Sequence, residues 1–394
     1  MDSLKNIKIG LYSLTVFRNA LSDDVVKSFI RLADTRDGDT ENEVLNYCDF
    51  VSKIYKSENG LSRHVFDLVT DDENVFINRV SSSEMIPDVF SDAVENDIEV
   101  LQSLADLTSE KIKSYIKYSG FLPSYRTEKI DIEKEYMKRC ADIGKYGYGI
   151  YSKNYAFYIE DGKITPVRHP DKIRLSDLAD YEDEKKQVID NTIALINGKP
   201  AANVLLAGDA GTGKSSTVKA VVNEFKDDGL RIIEIRKEQL REIPKIMDEL
   251  DSNPLKFILF IDDLSFTKAD DNFSALKALL EGTVSAKSGN VAIYATSNRR
   301  HIVKESFAER EGDDIHRNDT IQELMSLSER FGLTVTYVKP NKQTYLDIVK
   351  KLAEQENIKV TDDLLAEAER FEIRKGGRSA RVAKQFIDKV ISET

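Results

Sequence analysis

Five short apolar runs punctuate the second half of the chain: NVLLA at 203–207, RIIEI at 231–235, FILFI at 257–261, VAIYA at 291–295 and LTVTYV at 333–338. Segments of helical character separate them. Short continuous apolar runs of this kind suit strands buried on both faces. Strands alternating with helices predict a parallel sheet covered by helices, an α/β core over 173–340. From 341 to 394 the pattern returns to helix alone, in KQTYLDIVKKLAEQ, TDDLLAEAERF and SARVAKQFIDKVIS, and predicts a separate helical subdomain.

Residues 1–143 read as mainly helical. Val44, Cys48, Val51 and Tyr55 recur at helical spacing, as do Phe90, Val94, Ile98, Leu101 and Ala105. Residues 144–172 are rich in Gly, Tyr and Pro. There YAFYI and KITPV flank Asp161-Gly162, a hairpin turn signal, so a β-hairpin and linker are expected between the two halves. No fixed-period repeat emerges.

The 394 residues suffice for two or three domains at roughly 100–200 residues each. No apolar run nears the ~18 residues of a membrane helix. The first residues lack the apolar block and cleavage site of a signal peptide. Cys48 and Cys140 form neither a metal spacing nor a disulfide framework, and suit a reducing cytoplasm. His64, His169, His301 and His316 are scattered singly and read as surface or core residues. The net charge of −12 is uneven: residues 1–100 hold 20 Asp and Glu against 10 Lys and Arg, a balance of −10, which leaves −2 for the remainder. An acidic first quarter disfavours general nucleic-acid binding there.

Between the first of the five runs and a helical segment lies GDAGTGKS, Gly208 to Ser215, which fits G-x-x-x-x-G-K-[ST]. That strand–loop–helix context is the one the motif requires. Its glycines let backbone N–H groups turn toward an oxyanion, and the helix N-terminus adds partial positive charge. Lys214 is expected on the β- and γ-phosphates and Ser215 on Mg²⁺. The loop residues Gly208, Asp209, Ala210, Gly211, Thr212, Gly213, Lys214, Ser215 and Ser216 thus read as a nucleoside triphosphate site. FILFIDD ends a buried strand in Asp262, a carboxylate suited to a Mg²⁺ water shell, and Asp263, placed to polarise an attacking water. VAIYATSN ends another strand in Asn298. If that strand lies between the other two, its amide reaches a γ-phosphate or the water. Arg299 and Arg300 read as surface or interface charges.

These residues resemble the AAA+ ATPases over about 173 to 391. The resemblance implies an AAA+ P-loop core with a five-stranded parallel sheet and a helical lid, preceded by a helical domain. It implies that LADYEDEKKQVIDNT cups adenine through Leu178 and Tyr181, that GDAGTGKSS and FILFIDD are Walker A and B, and that Asn298 is sensor 1. SLSERFGLTV resembles the arginine-finger region, with Arg330 in that role. GGRSAR resembles sensor 2, with Arg381 aligned best and Arg378 competing. The combined motifs are most similar to one bacterial AAA+ family known only as an ATP-binding domain of unknown function.

The resemblance implies ATP with Mg²⁺, a homo-oligomeric ring or spiral completed by an arginine in trans, and a macromolecular partner bound by the N-terminal domain, without a membrane role. Walker B ordinarily ends Asp-Glu. Here Asp262-Asp263 is shared with helicase loaders and initiators, so a DNA-associated factor is a second reading, though not the favoured one. A weakly hydrolysing nucleotide scaffold is a third, and a small-molecule kinase a fourth, opposed by the lid arginine. The stretch RKEQLREIPK after the second strand has no aromatic-Gly loop, which argues against a chain-threading unfoldase.

Overall fold

The structure is a computed structural model. It describes residues 2–57, 60–264, 275–277, 279–280, 289–298 and 329–393. Arg299, Arg300, His301 and His316 lie outside the described residues. The chain divides into two compact units, Met1–Lys153 and Asn154–Thr394.

The first unit is helical: α1 (Asp2–Ser13), α2 (Asp24–Ala33), α3 (Thr40–Ile54), α4 (Gly60–Asp71), α5 (Val75–Ser81), α6 (Asp88–Ala105), α7 (Ser109–Lys113), α8 (Ile132–Ala141) and α9 (Ile143–Tyr146). Side-chain caps set several starts. Asp23 accepts the amides of Val25 and Val26 ahead of α2, and Asn74 accepts that of Ile77 ahead of α5. The expected stripe of α6 is the buried one, through Val94, Ile98, Leu101 and Ala105. On α3 the stripe is displaced. Tyr47, Phe50, Val51 and Ile54 face the core, Val44 and Cys48 are partly buried at its margin, and Tyr55 is exposed. Spacing alone allowed either stripe; the larger aromatic area decided it.

The second unit is built on one seven-stranded sheet of β1 (Ala156–Glu160), β2 (Lys163–Pro166), β3 (Val204–Gly208), β4 (Leu230–Glu234), β5 (Lys256–Ile261), β6 (Val291–Ser297) and β7 (Leu333–Tyr337), in the order β2-β1-β4-β5-β6-β3-β7. The five strands predicted from the apolar runs, β3 to β7, are all mutually parallel. The hairpin is present, with positive φ at both Asp161 and Gly162 as a two-residue turn demands. It is not free of the sheet. Its first strand pairs parallel to β4, Phe157 opposite Ile233, and so extends the five strands to seven. Helices α10 (Glu182–Ile196) and α11 (Lys214–Phe225) bury Val188, Leu195, Val218, Val221 and Val222 against Val204, Leu206, Ile258 and Phe260. After β7, α13 (Lys342–Gln355), α14 (Asp362–Arg374) and α15 (Ala380–Glu393) follow a short α12 (Ile243–Leu250) and pack around Tyr345, Phe371 and Phe386.

Strand β3 lies between β6 and β7. The chain leaves it toward β4 on one side and returns from β6 past it to β7 on the other. In parallel sheets, the carboxyl ends of strands beside such a reversal form the ligand crevice. No helix among the described residues is long and apolar enough to cross a membrane.

Candidate functional site

The end of β3 is held where only glycine fits. Gly208 sits at φ +137, and a Cβ there would lie 1.9 Å from the Tyr337 carbonyl oxygen of β7. This close approach lets Asp209 donate its amide to the same carbonyl at 3.1 Å, while its side chain accepts the Lys339 amide at 3.0 Å. Thr212 closes the loop with a 2.9 Å bond to the Asp209 carbonyl. Gly211, at φ +79, is pressed by the lid: its added Cβ would meet Ser379 Oγ at 3.0 Å and Arg381 Cβ at 3.2 Å.

Lys214 opens α11 and is 5% exposed. Its ammonium donates to the carbonyls of Asp209 at 2.7 Å and Gly208 at 3.2 Å, and to Asn298 Oδ1 at 3.2 Å. Burial pushes its pKa below that of an ordinary lysine; Asp209, Asp263 and Asp262 pull it back, and Arg381 pushes it down. Strand β6 lies between β3 and β5 and delivers Asn298 at its end. The Asn298 amide donates to Asp263 Oδ1 at 2.7 Å, so Lys214, Asn298 and Asp263 form one hydrogen-bonded chain. Beside it, Asp262 Oδ1 accepts from Ser215 Oγ at 2.6 Å, Thr296 Oγ1 at 2.5 Å and the Asp263 amide at 3.1 Å. Asp263 is in the left-handed region, φ +52, an uncommon place for a residue with a side chain.

A cleft of ≈ 1110 Å³ opens over these groups. One wall is the lid, where α15 presents Arg381 and Lys384. The Arg381 amide donates to the Gly211 carbonyl at 3.1 Å. Arg378 is engaged elsewhere. Its Nε and a terminal nitrogen both meet Glu372 Oε1 at 3.2 Å, and Glu372 is 5% exposed. The lining also includes Leu178 and Tyr181. Tyr181 and the preceding Asp180 both take positive φ. The Tyr181 ring lies 5.2 Å from that of Tyr337, and its hydroxyl donates to the Val338 carbonyl at 2.7 Å. The Leu178 carbonyl accepts from Lys185 of α10 at 3.0 Å and Lys351 of α13 at 3.3 Å, tying this part of the lining to core and lid.

Of the predicted residues, Gly211, Thr212, Gly213, Lys214, Ser215, Ser216, Asp262, Asp263, Asn298, Leu178, Tyr181 and Arg381 line one cleft, while Gly208 and Asp209 touch it only through the carbonyls that hold Lys214, and Ala210 is not part of its lining. Arg330 does not join them. It precedes Leu333, which pairs with Val204 at the opening end of β3, whereas the cleft lies past Gly208 at the other end. Sequence reasoning missed Thr296. Its signal was its position two residues before Asn298, which puts both on one face of β6.

A family model described as "Protein of unknown function (DUF815)" matches residues 152–394. The chain belongs to this family. The matched stretch of this DUF815 protein holds the five parallel strands with the glycine loop after β3 and the three C-terminal helices, and a mainly helical region precedes it. Among solved structures, a Thermotoga maritima RuvB Holliday junction branch migration motor is similar at 15% identity, covering 55% of this chain and 71% of that one, with a TM-score of 0.33. That likeness is too distant to bear on what the DUF815 chain binds. No curated protein matches it.

Proposed function

We propose that the chain binds ATP with Mg²⁺ and hydrolyses it, using the cycle to switch or remodel a macromolecular partner. The observation that carries this reading is the convergence of Lys214, Asn298, Asp263, Asp262 and Ser215 in one bonded cluster, under a lid arginine, at the sheet's topological switch point. The loop amides and Lys214 would hold the β- and γ-phosphates. Leu178 and Tyr181 would flank the base. Two oxygen donors 2.6 Å apart, Asp262 and Ser215, suit a hard divalent ion. Among the described residues no cluster of three or more His, Cys, Asp or Glu forms a cage; magnesium commonly needs only one or two carboxylates beside phosphate and water. When bound, it would supply charge neutralisation across the β- and γ-phosphates.

Asp263 would accept the proton of the attacking water while Asn298 orients it. Arg381 would report the γ-phosphate to the lid. Arg330, at the end of the strands away from its own cleft, would reach only a neighbour's nucleotide, which calls for head-to-tail assembly into a ring or spiral. The helical unit would select the partner. A second reading, a nucleotide switch with slow turnover, draws on the 2.7 Å bond that already occupies Asp263 Oδ1.

Phosphate release per subunit, followed against protein concentration with light scattering in ATP, tests the proposal. Turnover should rise with concentration as an oligomer forms. Lys214→Ala should lose ATP binding, and retained affinity would remove the loop from the site. Arg330→Ala should keep binding and lose turnover by about 10³-fold. Unchanged turnover would remove Arg330 from the site.

A further inference from the structure

The turn that carries Asp262 and Asp263 leaves the sheet at the end of β5, and one residue of the neighbouring strand fastens it three times. Thr296 of β6 is 2% exposed. Its Oγ1 donates to Asp262 Oδ1 at 2.5 Å and accepts the Asp263 amide at 3.0 Å. Its backbone carbonyl accepts the Leu264 amide at 2.7 Å. A hydroxyl has one proton and two lone pairs, so both side-chain bonds form together and in that sense only. Asp262, with no proton to give when ionised, must be the acceptor, which leaves the lone pairs of Thr296 for the amide.

We propose that Thr296 is a positioning residue: it sets Asp263 in its left-handed turn and thereby aims that short carboxylate at Asn298. This rests on the ATPase reading above. A non-glycine residue at φ +52 is strained by about 1 kcal/mol or more, and persists only where its surroundings over-determine it. The bond that Thr296 Oγ1 donates to Asp262, the one it accepts from the Asp263 amide and the one its carbonyl accepts supply that determination, together with the 3.1 Å bond from the same amide to the Asp262 Oδ1 that Thr296 holds. The outcome is the 2.7 Å contact between Asp263 Oδ1 and Asn298 Nδ2, which joins the water-activating carboxylate to the residue on Lys214. The same hydroxyl loads Asp262 on Oδ1 and leaves Oδ2 its full acceptor capacity toward a ligand. A valine in place of Thr296 keeps the volume and the carbonyl, and removes only the hydroxyl.

Two measurements on the full-length protein test this, with Thr296→Val and Thr296→Ser side by side. The first is residue-resolved amide exchange without nucleotide or metal. In Thr296→Val the Asp263 amide should exchange about tenfold faster, while Leu264, still held by the carbonyl of residue 296, stays unchanged; general loosening would quicken both. The second is steady-state hydrolysis. Thr296→Val should lower kcat about 10- to 100-fold with KM for ATP within about twofold, and Thr296→Ser should restore both readouts. Unchanged Asp263 exchange, a loss confined to KM, or an equal loss in Thr296→Ser would overturn the assignment. If Thr296→Val does not fold, Thr296→Ala is read in the same way. If the wild type releases no phosphate, the ATPase reading falls, and the exchange pattern alone decides for or against Thr296.

Discussion

Two carboxylates, one in each unit, each gather three hydrogen bonds on a single oxygen. In the helical unit, Asp97 is 0% exposed, and its Oδ2 accepts the backbone amides of Thr15, Val16 and Phe17 at 2.9, 2.7 and 3.1 Å. In the second unit, Asp262 Oδ1 accepts from Ser215, Thr296 and the Asp263 amide at the rim of an open cleft. The count is the same and the setting is opposite. Asp97 satisfies three consecutive amides that follow α1, of which the buried one at Phe17 has no water to turn to. Asp262 organises two hydroxyls and a strained turn beside solvent. On the proposed function, what would separate a scaffold carboxylate from a chemical one is the identity of its donors and its exposure.

The sharpest way to break that comparison is to delete each carboxylate. For Asp262→Ala we expect turnover to fall by about 10³-fold, some 4 kcal/mol of activation free energy, while the midpoint of urea unfolding moves little, as at other exposed positions. A large loss of stability with residual turnover would make Asp262 a structural residue like Asp97. For Asp97→Ala the expectation reverses. Buried amides left without an acceptor cost about 1–3 kcal/mol each, and the partly wet ones at Thr15 and Val16 less, so unfolding should show a loss of about 3 kcal/mol. ATP affinity, titrated well below the new transition, should match the wild type. Should affinity fall as well, the division of labour between the two units would need revision.

The same contrast explains what was legible in the sequence. The five parallel strands could be read because burial on both faces writes itself as continuous apolar runs, and the glycine loop because its strand–helix context is local. The attachment of the hairpin could not be read. The partner of Phe157 is Ile233, a distant residue, and neither strand carries a mark of the other. On α3, period alone did not say whether Val44 and Cys48 or Tyr47 and Phe50 would face inward. Thr296 escaped notice because its partners, Asp262 and Asp263, come from the adjacent strand. The spacing of Thr296 to Asn298 marks a shared face, but its contacts across the sheet to Asp262 and Asp263 leave no spacing to find.

The choice between Arg378 and Arg381 shows the limit of spacing most plainly, and it yields the smallest and most discriminating prediction. Both arginines sit at the entry to α15, three residues apart. The distinction lies in Glu372, a buried carboxylate that takes two nitrogens of Arg378. Removing Arg378 strands that charge; because the Arg378 side chain is 38% exposed, water can partly compensate, and we expect a loss of about 1–2 kcal/mol in stability with ATP and ADP affinities unchanged. Arg381 faces the cleft and makes its loop contact through the backbone amide, which an alanine keeps. Arg381→Ala should therefore leave stability within about 0.5 kcal/mol and weaken ATP relative to ADP by about tenfold, the worth of one lost contact to a γ-phosphate. Titration of both nucleotides against both variants checks this. If Arg378→Ala loses the preference for ATP and Arg381→Ala keeps it, the ion pair with Glu372 must open when nucleotide binds, and the lid would be coupled to the site by exchanging a carboxylate partner for a phosphate.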